Sequence, residues 1–245
     1  MVALPGRRLA DCLHHPGVSV NILYLDSSTE ACTAGVLAGD RVVTGFEVAP
    51  RGHAEKLLPM AEGLLEEAQI EFEDLDLIGF GRGPGSFTGV RIATAMAQGI
   101  AIARDLPMVG ISSLACLAAG AFRRLEESGE YTGDVEVQVA IDARMGEIYR
   151  AVYRLGDSGD LITLVEEAVT EPTFPAAKEN RVVACGTGFG RYPKLGEGPA
   201  AIRVEPEALP HARDALDLIR RLPENERISP DAAVPSYLRD KVAGR

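Results

Sequence analysis

The run Gly81-Arg82-Gly83-Pro84-Gly85-Ser86-Phe87-Thr88-Gly89 constrains this chain more than any other stretch. It follows the apolar segment Asp76-Leu77-Ile78-Gly79-Phe80-Gly81, which reads as a buried strand, and it opens a segment, 87–104, that reads as a helix. A strand that turns through glycines straight into a helix is the building step of an α/β fold. The glycines permit positive φ and let another backbone come close, and the N–H groups at a helix start can hold an anion. The run is not a P-loop, because Gly-Lys-Ser/Thr is absent. Nor is it a nucleophile elbow: Pro84 and Thr88 stand where G-x-S-x-G needs glycines, so Ser86 reads as a poor hydrolytic nucleophile. A loop that packs two lobes together is the plainer reading.

The elements around this run have a definite order. Residues 21–25 form a short apolar strand ending in Asp26-Ser27-Ser28-Thr29, and strands at 31–37 and 41–48 follow, joined at Ala38-Gly39-Asp40. Short strands with tight turns predict an antiparallel meander. Over 53–69, Leu57, Leu58, Ala61, Leu64, Leu65 and Ala68 recur at helical spacing, with Glu55, Glu62, Glu66 and Glu67 keeping the rest wet. The helix at 87–104 differs. One stripe holds Val90, Ala93, Ala97, Ile100 and Ala101, and the opposite side holds Ile92, Ala95, Met96, Gly99 and Ala103. A helix apolar nearly all round is buried on both sides, with the chain's own sheet on one and either a partner helix or the rest of the chain on the other. Further on, the pattern predicts a strand at 107–111, a helix capped by Ser112-Ser113 to about 124, and a loop over 126–134. Strands at 135–141, 147–154, 161–169 and 181–185 and a helix at 208–222 complete it. The order is that of a β-β-β-α-β-α unit used twice, the second copy degraded, in an α/β fold of two similar lobes.

The chemistry-bearing residues are few. Asp26 followed by Ser27, Ser28 and Thr29 at a strand corner can hold a metal-bound water and cradle phosphate, or simply bond its own turn. Of the histidines, His14, His15, His53 and His211, no pair is spaced one helical turn apart, so no zinc or iron site is expected. His53 reads as a helix-start residue before it reads as a general base. Asp142, Arg144 and Glu147 surround a hairpin turn and could form a small polar site, although turn chemistry and a surface ion pair suffice to account for them. Cys12, Cys32, Cys116 and Cys185 lack C-x-x-C spacing and read as buried thiols in a reducing compartment.

Net charge is −11, from 25 basic and 36 acidic residues, which makes the chain a poor stand-alone ligand for a polyanion. Residues 1–19 are rich in breakers and predict a disordered leader. Arg7-Arg8 in it is not followed by the apolar stretch a signal needs, and no window approaches a membrane span, so the expected compartment is the cytoplasm with no membrane partner.

Five runs together resemble the bacterial TsaB (YeaZ) family: Leu25-Asp26-Ser27-Ser28-Thr29-Glu30-Ala31-Cys32; Arg51-Gly52-His53-Ala54-Glu55-Lys56-Leu57-Leu58-Pro59; Gly81 through Ile92; Ile141-Asp142-Ala143-Arg144-Met145-Gly146-Glu147-Ile148-Tyr149; and Pro235-Ser236-Tyr237-Leu238-Arg239. The resemblance covers about 21–240. It implies a two-lobed actin/Hsp70-like (ASKHA) fold, with a first lobe from 20–109 plus about 226–245 and a second from 110–225. It also implies a non-catalytic role in forming N6-threonylcarbamoyladenosine beside the anticodon of tRNAs reading codons that start with A. The implied partners are a catalytic paralogue of the TsaD type and a TsaE-type ATPase, with a homodimer open to the free chain and tRNA reached only through the complex. The paralogue's H-x-x-x-H metal motif aligns with about Ser113 and Leu117, which cannot ligate a metal as a pair. No catalytic or metal residue and no cofactor is therefore expected. A remnant of a phosphate loop (Asp26, Ser27, Ser28, Thr29, Gly83, Gly85, Ser86) leaves weak ATP or ADP binding open. The implied partner surface is the pair of helices after the first meander, through Leu58, Met60, Ala61, Leu65, Arg91, Ile92, Ala95, Met96 and Gly99. Two other readings stand beside this one: an ATP-binding kinase or ATPase of the same fold class and, less favoured, a peptidase.

Overall fold

Alternation along β1 (Asn21–Asp26) sets the layering of the first half of the chain. Leu23 and Leu25 face one side, Ile22 and Tyr24 the other, and all four are buried, so the strand requires cover on both faces. β2 (Ala31–Ala38) and β3 (Arg41–Val48) extend it as the expected antiparallel meander, while β4 (Leu77–Gly83) and β5 (Met108–Ser112) add in parallel on its other edge. The sheet order is β3-β2-β1-β4-β5. Helices α1 (His53–Ala68) and α2 (Phe87–Arg104) pack on the Leu23/Leu25 face. The computed structural model describes residues 20–239 apart from 50, 132, 158, 178–180 and 199. The leader expected over 1–19, with Cys12, His14 and His15, lies outside the described residues.

The second sheet repeats the first. β6 (Glu136–Arg144), β7 (Glu147–Leu155) and β8 (Leu161–Thr170) form an antiparallel meander, and β9 (Val182–Cys185) and β10 (Ala201–Glu205) add in parallel on the free edge of β6. The order β8-β7-β6-β9-β10 matches the first sheet strand for strand. The second copy is reduced. Among the described residues no helix stands between β8 and β9 where α1 stands in the first copy, and the counterpart of α2 is the single turn α4 (Thr187–Arg191).

Two helices join the halves. α3 (Ser113–Ser128) packs Leu114, Leu117, Ala121 and Phe122 against Val137, Val139 and Ile141 of the second sheet. It runs four residues past the expected end and stops where Gly129 takes a left-handed conformation. α5 (Ala212–Arg221) lies on the other sheet: Ala212, Ala215, Leu216 and Ile219 close the Ile22/Tyr24 face of the first. That corrects the lobe limits drawn from sequence, which put 110–225 entirely in the second lobe; β5 too runs on to Ser112 in the first sheet. The close fit is made at Gly35 of β2, where a Cβ would stand 2.9 Å from Leu216 and 3.0 Å from Ala212. α5 also begins later than expected, because Pro210 disfavours a helix there and the His211 ring accepts the Arg213 N–H as the cap. Arg123 of α3 bonds Asp214 of α5 at 2.6 Å and ties the two helices.

On α2 one of the two expected covers for its second side, the rest of the chain, is excluded. Val90, Ala93, Ala97 and Ala101 are buried, but the opposite side is open: Ala95, Gly99 and Ala103 are exposed, and Ile102 is 67% exposed. The chain does not bury this helix on both sides by itself. Cys32, Cys116 and Cys185 are buried free thiols, and among the described residues no helix is long and apolar enough to cross a membrane.

The two adjacent leucines of α1 separate core from surface. Leu57 is fully buried and Leu58 is 37% exposed. Urea unfolding is expected to show Leu57→Ala losing about 3 kcal/mol through the cavity it leaves, and Leu58→Ala losing less than about 1 kcal/mol.

Candidate functional site

The corner after β1 and the glycine run after β4 meet because β1 and β4 are neighbouring parallel strands. The two loops leave the sheet at the same end and seal against each other. Ser86 N–H donates to the Ser28 carbonyl (2.7 Å) and Ser27 Oγ donates to the Gly89 carbonyl (2.8 Å). Ser28 Oγ shares a hydrogen bond with Ser113 Oγ at 2.7 Å, and Thr29 Oγ1 accepts the Ala31 N–H. Ser27 and Ser28 are inaccessible. At Gly85 and Gly89 a Cβ would stand 2.0 Å from the Ser28 oxygen and 1.9 Å from the Ser27 oxygen, so these two positions are glycine because the corner's backbone fills the space of a side chain. Gly83 turns the chain at φ +88 and Ser86 caps α2, its Oγ accepting the Gly89 N–H. Asp26 to Thr29, Gly83, Gly85 and Ser86 are thus brought together; the Ser27 and Ser28 hydroxyls are bonded to Gly89 and Ser113, while Ser86 is exposed.

Asp26 lies beneath this seal. Its Oδ1 accepts the Ser28 N–H (2.7 Å) and its Oδ2 the Tyr24 hydroxyl (3.0 Å). Burial raises its carboxyl above the usual carboxylate range, and those hydrogen bonds, which favour the ionised form, only partly offset it. Among the described residues no cation pairs with it, though positive charge on the nearby His53 acts in the same lowering direction. Ser113, one position aligned with the metal motif, is buried against Ser28, and Leu117, the other, sits in the second core. Among the described residues no three His, Cys, Asp or Glu side chains gather to hold a metal.

Outside the seal lies a cleft of about 820 Å³ between the two sheets, within the size range of small-molecule sites. One wall is the corner at Thr29 and Glu30, the start of α1 at His53, and the start of α2. The other is the β6–β7 turn, where Arg144 pairs with Asp142 (3.2 Å) and reaches Glu30 across the cleft (3.7 Å). His53 is the first residue of α1, and its Nε2 is buried without a partner. The third side is a segment the sequence did not mark as part of a site. Tyr237 and Arg239 close it, Arg239 bonding the Ala143 carbonyl and the Glu147 carboxylate. It carries no periodicity; its only signal is the run Pro235-Ser236-Tyr237-Leu238-Arg239 itself.

The residues suggested as a partner surface divide in two. Leu58, Arg91, Ala95 and Gly99 are exposed on the outer sides of α1 and α2, and Met60, Ile92 and Met96 are half-buried, Met60 lying over Gly45 of β3. Ala61 and Leu65 are corrected: they are 0% and 3% exposed, facing the sheet on the same stripe as Leu57 and Leu64, and cannot meet another protein.

Two outcomes follow. Gly89→Ala is expected to lose about 2 kcal/mol or more in urea unfolding, because helix α2 must back away from the corner. Asp26, with its folded-state carboxyl raised, contributes stability below the ordinary carboxylate pKa that is lost as pH rises through the folded value. Measured from about pH 4 to about pH 8, the stability of the protein relative to Asp26→Asn is therefore expected to fall with rising pH.

Comparison with known proteins agrees with this architecture. Residues 46–177 match the family described as "TsaD: tRNA N6-adenosine threonylcarbamoyltransferase". The protein named "tRNA threonylcarbamoyladenosine biosynthesis protein TsaB" of Escherichia coli is 36% identical over 91% of this chain and 96% of its own length. The protein of that name from Haemophilus influenzae is 33% identical over 91% and 95%. The solved structure of YeaZ from Pseudomonas aeruginosa superposes with a TM-score of 0.77 at 38% identity, covering 89% of this chain and all of that one. With two like sheets, a sealed serine corner and relatives matched over nearly their whole length, the chain belongs to the TsaB family.

Proposed function

We propose that this chain is a non-catalytic partner subunit in the formation of N6-threonylcarbamoyladenosine on tRNA, acting by binding and activating a TsaD-like catalytic paralogue. The observation that carries the reading is the pairing of a closed corner with an open helix face. The Ser27 and Ser28 hydroxyls, two of those that could touch a phosphate, are bonded internally, while α2 leaves a stripe of small residues, Ala95, Gly99 and Ala103, uncovered. Small side chains allow a facing helix to approach closely, and the surrounding Leu58, Ile92 and Met96 supply apolar area. The paralogue's family matches half of this chain in sequence, so the two proteins share elements that can pair helix to helix. With a net charge of −11, the chain reaches tRNA through the complex rather than alone, and a TsaE-like ATPase joins the same assembly. In the absence of its partner the open face serves a homodimer. The compartment that fits these roles is the cytoplasm.

The test is modification of tRNA by purified paralogue, ATPase and adenylate-forming enzyme, with and without this chain, alongside light scattering of the mixture. Product and a mixed complex that both depend on this chain are the expected result. Modification by the paralogue alone at the full rate would overturn the reading. Gly99→Glu places a charge in open space on the exposed face. It is expected to weaken the complex at least about tenfold through an unpaired buried charge, with the free chain no less stable, because glycine in a helix interior costs about 0.5–1 kcal/mol relative to a good helix former. Binding of labelled ATP to the isolated chain, lost in Thr29→Ala, would instead favour a nucleotide site.

A further inference from the structure

The C-terminal segment is the one part of the described chain that touches both the outer end of α2 and the far wall of the cleft. Its path is held at three points on the first lobe. Ile228 exchanges two backbone hydrogen bonds with Met108 (2.8 Å each), Gln98 of α2 donates to the Pro230 and Ala233 carbonyls, and Ser236 N–H donates to the Arg82 carbonyl (2.7 Å). Beyond that anchor, residues 235–239 have no regular structure and cross the cleft. At the near end the Tyr237 hydroxyl accepts Arg91 Nε at 2.8 Å, and the Arg91 guanidinium lies 3.6 Å above the Phe87 ring. At the far end Arg239 bonds the Ala143 carbonyl (3.1 Å) and pairs with Glu147, gripping both sides of the β6–β7 turn. Arg91 is exposed, and Phe87 and Tyr237 are each 46% exposed, so the near end lies on the surface continuous with the outer face of α2.

We propose that residues 235–239 form a strap that couples the outer face of α2 to the inter-lobe cleft. In the seated state Tyr237 rests on Arg91 and Arg239 holds the β6–β7 turn; in the released state both grips are lost and only the exposed Arg144–Glu30 pair (3.7 Å) still links the turn to the first lobe. The turn has reason to move. Arg144 and Met145 both take positive φ (64° and 54°), a conformation that side chains with a Cβ disfavour, so external grips help keep it in place. The Phe87–Arg91–Tyr237 stack exists only in the seated state. A partner that covers these rings and the guanidinium, residue types enriched at binding hot spots, binds that state preferentially and holds the cleft closed, since a ligand shifts an equilibrium only by its differential affinity for the two states. This last step rests on the partner reading above; the coupling itself does not.

Hydrogen exchange on the isolated full chain tests the coupling. Arg239→Gln and Glu147→Gln each cut the far grip and are expected to speed amide exchange in 142–149 about tenfold or more, with α3 and α5 unchanged. Arg91→Gln is the decisive variant. It cuts only the near grip and has no contact with the β6–β7 turn, yet it is expected to speed exchange in 142–149 several-fold, while Leu58→Ala on the neighbouring helix leaves it unaltered. If Arg91→Gln leaves 142–149 at the native rate, the coupling is overturned. The same experiment repeated with the catalytic paralogue is expected to slow exchange in 142–149 below the free-chain rate. If that arm alone fails, the strap stands and the claim that the partner reads it falls. If the two proteins form no complex, the failure belongs to the partner reading.

Discussion

The contact between the serine corner and the glycine run governs the rest of the molecule. Two hydrogen bonds, from Ser86 N–H to the Ser28 carbonyl and from Ser27 Oγ to the Gly89 carbonyl, clamp the first turn of α2 to the end of β1. They fix the line along which eighteen residues of helix leave the sheet, and so decide which stripe of α2 meets the core and which stays outside. One piece of local chemistry thus buries the Ser27 and Ser28 hydroxyls and leaves the Ala95, Gly99 and Ala103 stripe of α2 outside.

The duplication carries a similar division of labour. Both sheets have the same strand order, but the first retains two full helices on one face and the second has a single turn in the equivalent place of α2. The second sheet is covered chiefly by α3 on one side, with Phe189, Phe174 and Leu195 forming a small cluster on the other. The first unit therefore presents long helices outward. The second presents its β6–β7 turn toward the cleft and is held there by arginines: Arg82 to Glu167, Arg144 to Glu30, and Arg239 to Glu147. Partly exposed pairs of this kind are individually weak, so they set orientation more than stability.

Much of this was legible in the residues, for identifiable reasons. The meanders, α1 and α2 announce themselves because alternation and 3–4 spacing report directly on which side chains must be dry. The corner and the glycine run were each visible, and their adjacency follows from β1 and β4 being successive parallel neighbours around the first helix. What periodicity does not carry was missed or misplaced. β10 is an edge strand with Ile202 and Val204 both 44% exposed, so it shows no buried apolar run. The place of α5 depends on a partner sheet nearly two hundred residues upstream, and its own pattern says only that one face is apolar. The resemblance implies Ala61 and Leu65 on the surface with Leu58, but their helical spacing from Leu57 is the better guide and places them in the core. The strap at 235–239 has no repeat at all, and only its hydrogen bonds reveal what it joins.

The seat of α5 has a consequence for how this chain is made. β1 is among the first described residues to leave the ribosome, yet Tyr24 on its outer face is covered by Leu216 and Ile219 of α5, and its inner core is completed by Ala233. The first sheet can assemble early, but one of its faces stays uncovered until some two hundred further residues have been synthesised. Contacts of such sequence separation slow folding, because the intervening loop must be ordered before they are gained. The nascent chain thus exposes a partly built apolar layer through most of translation. The first half of the molecule is a topological unit whose apolar cover is completed only by residues at the far end of the chain.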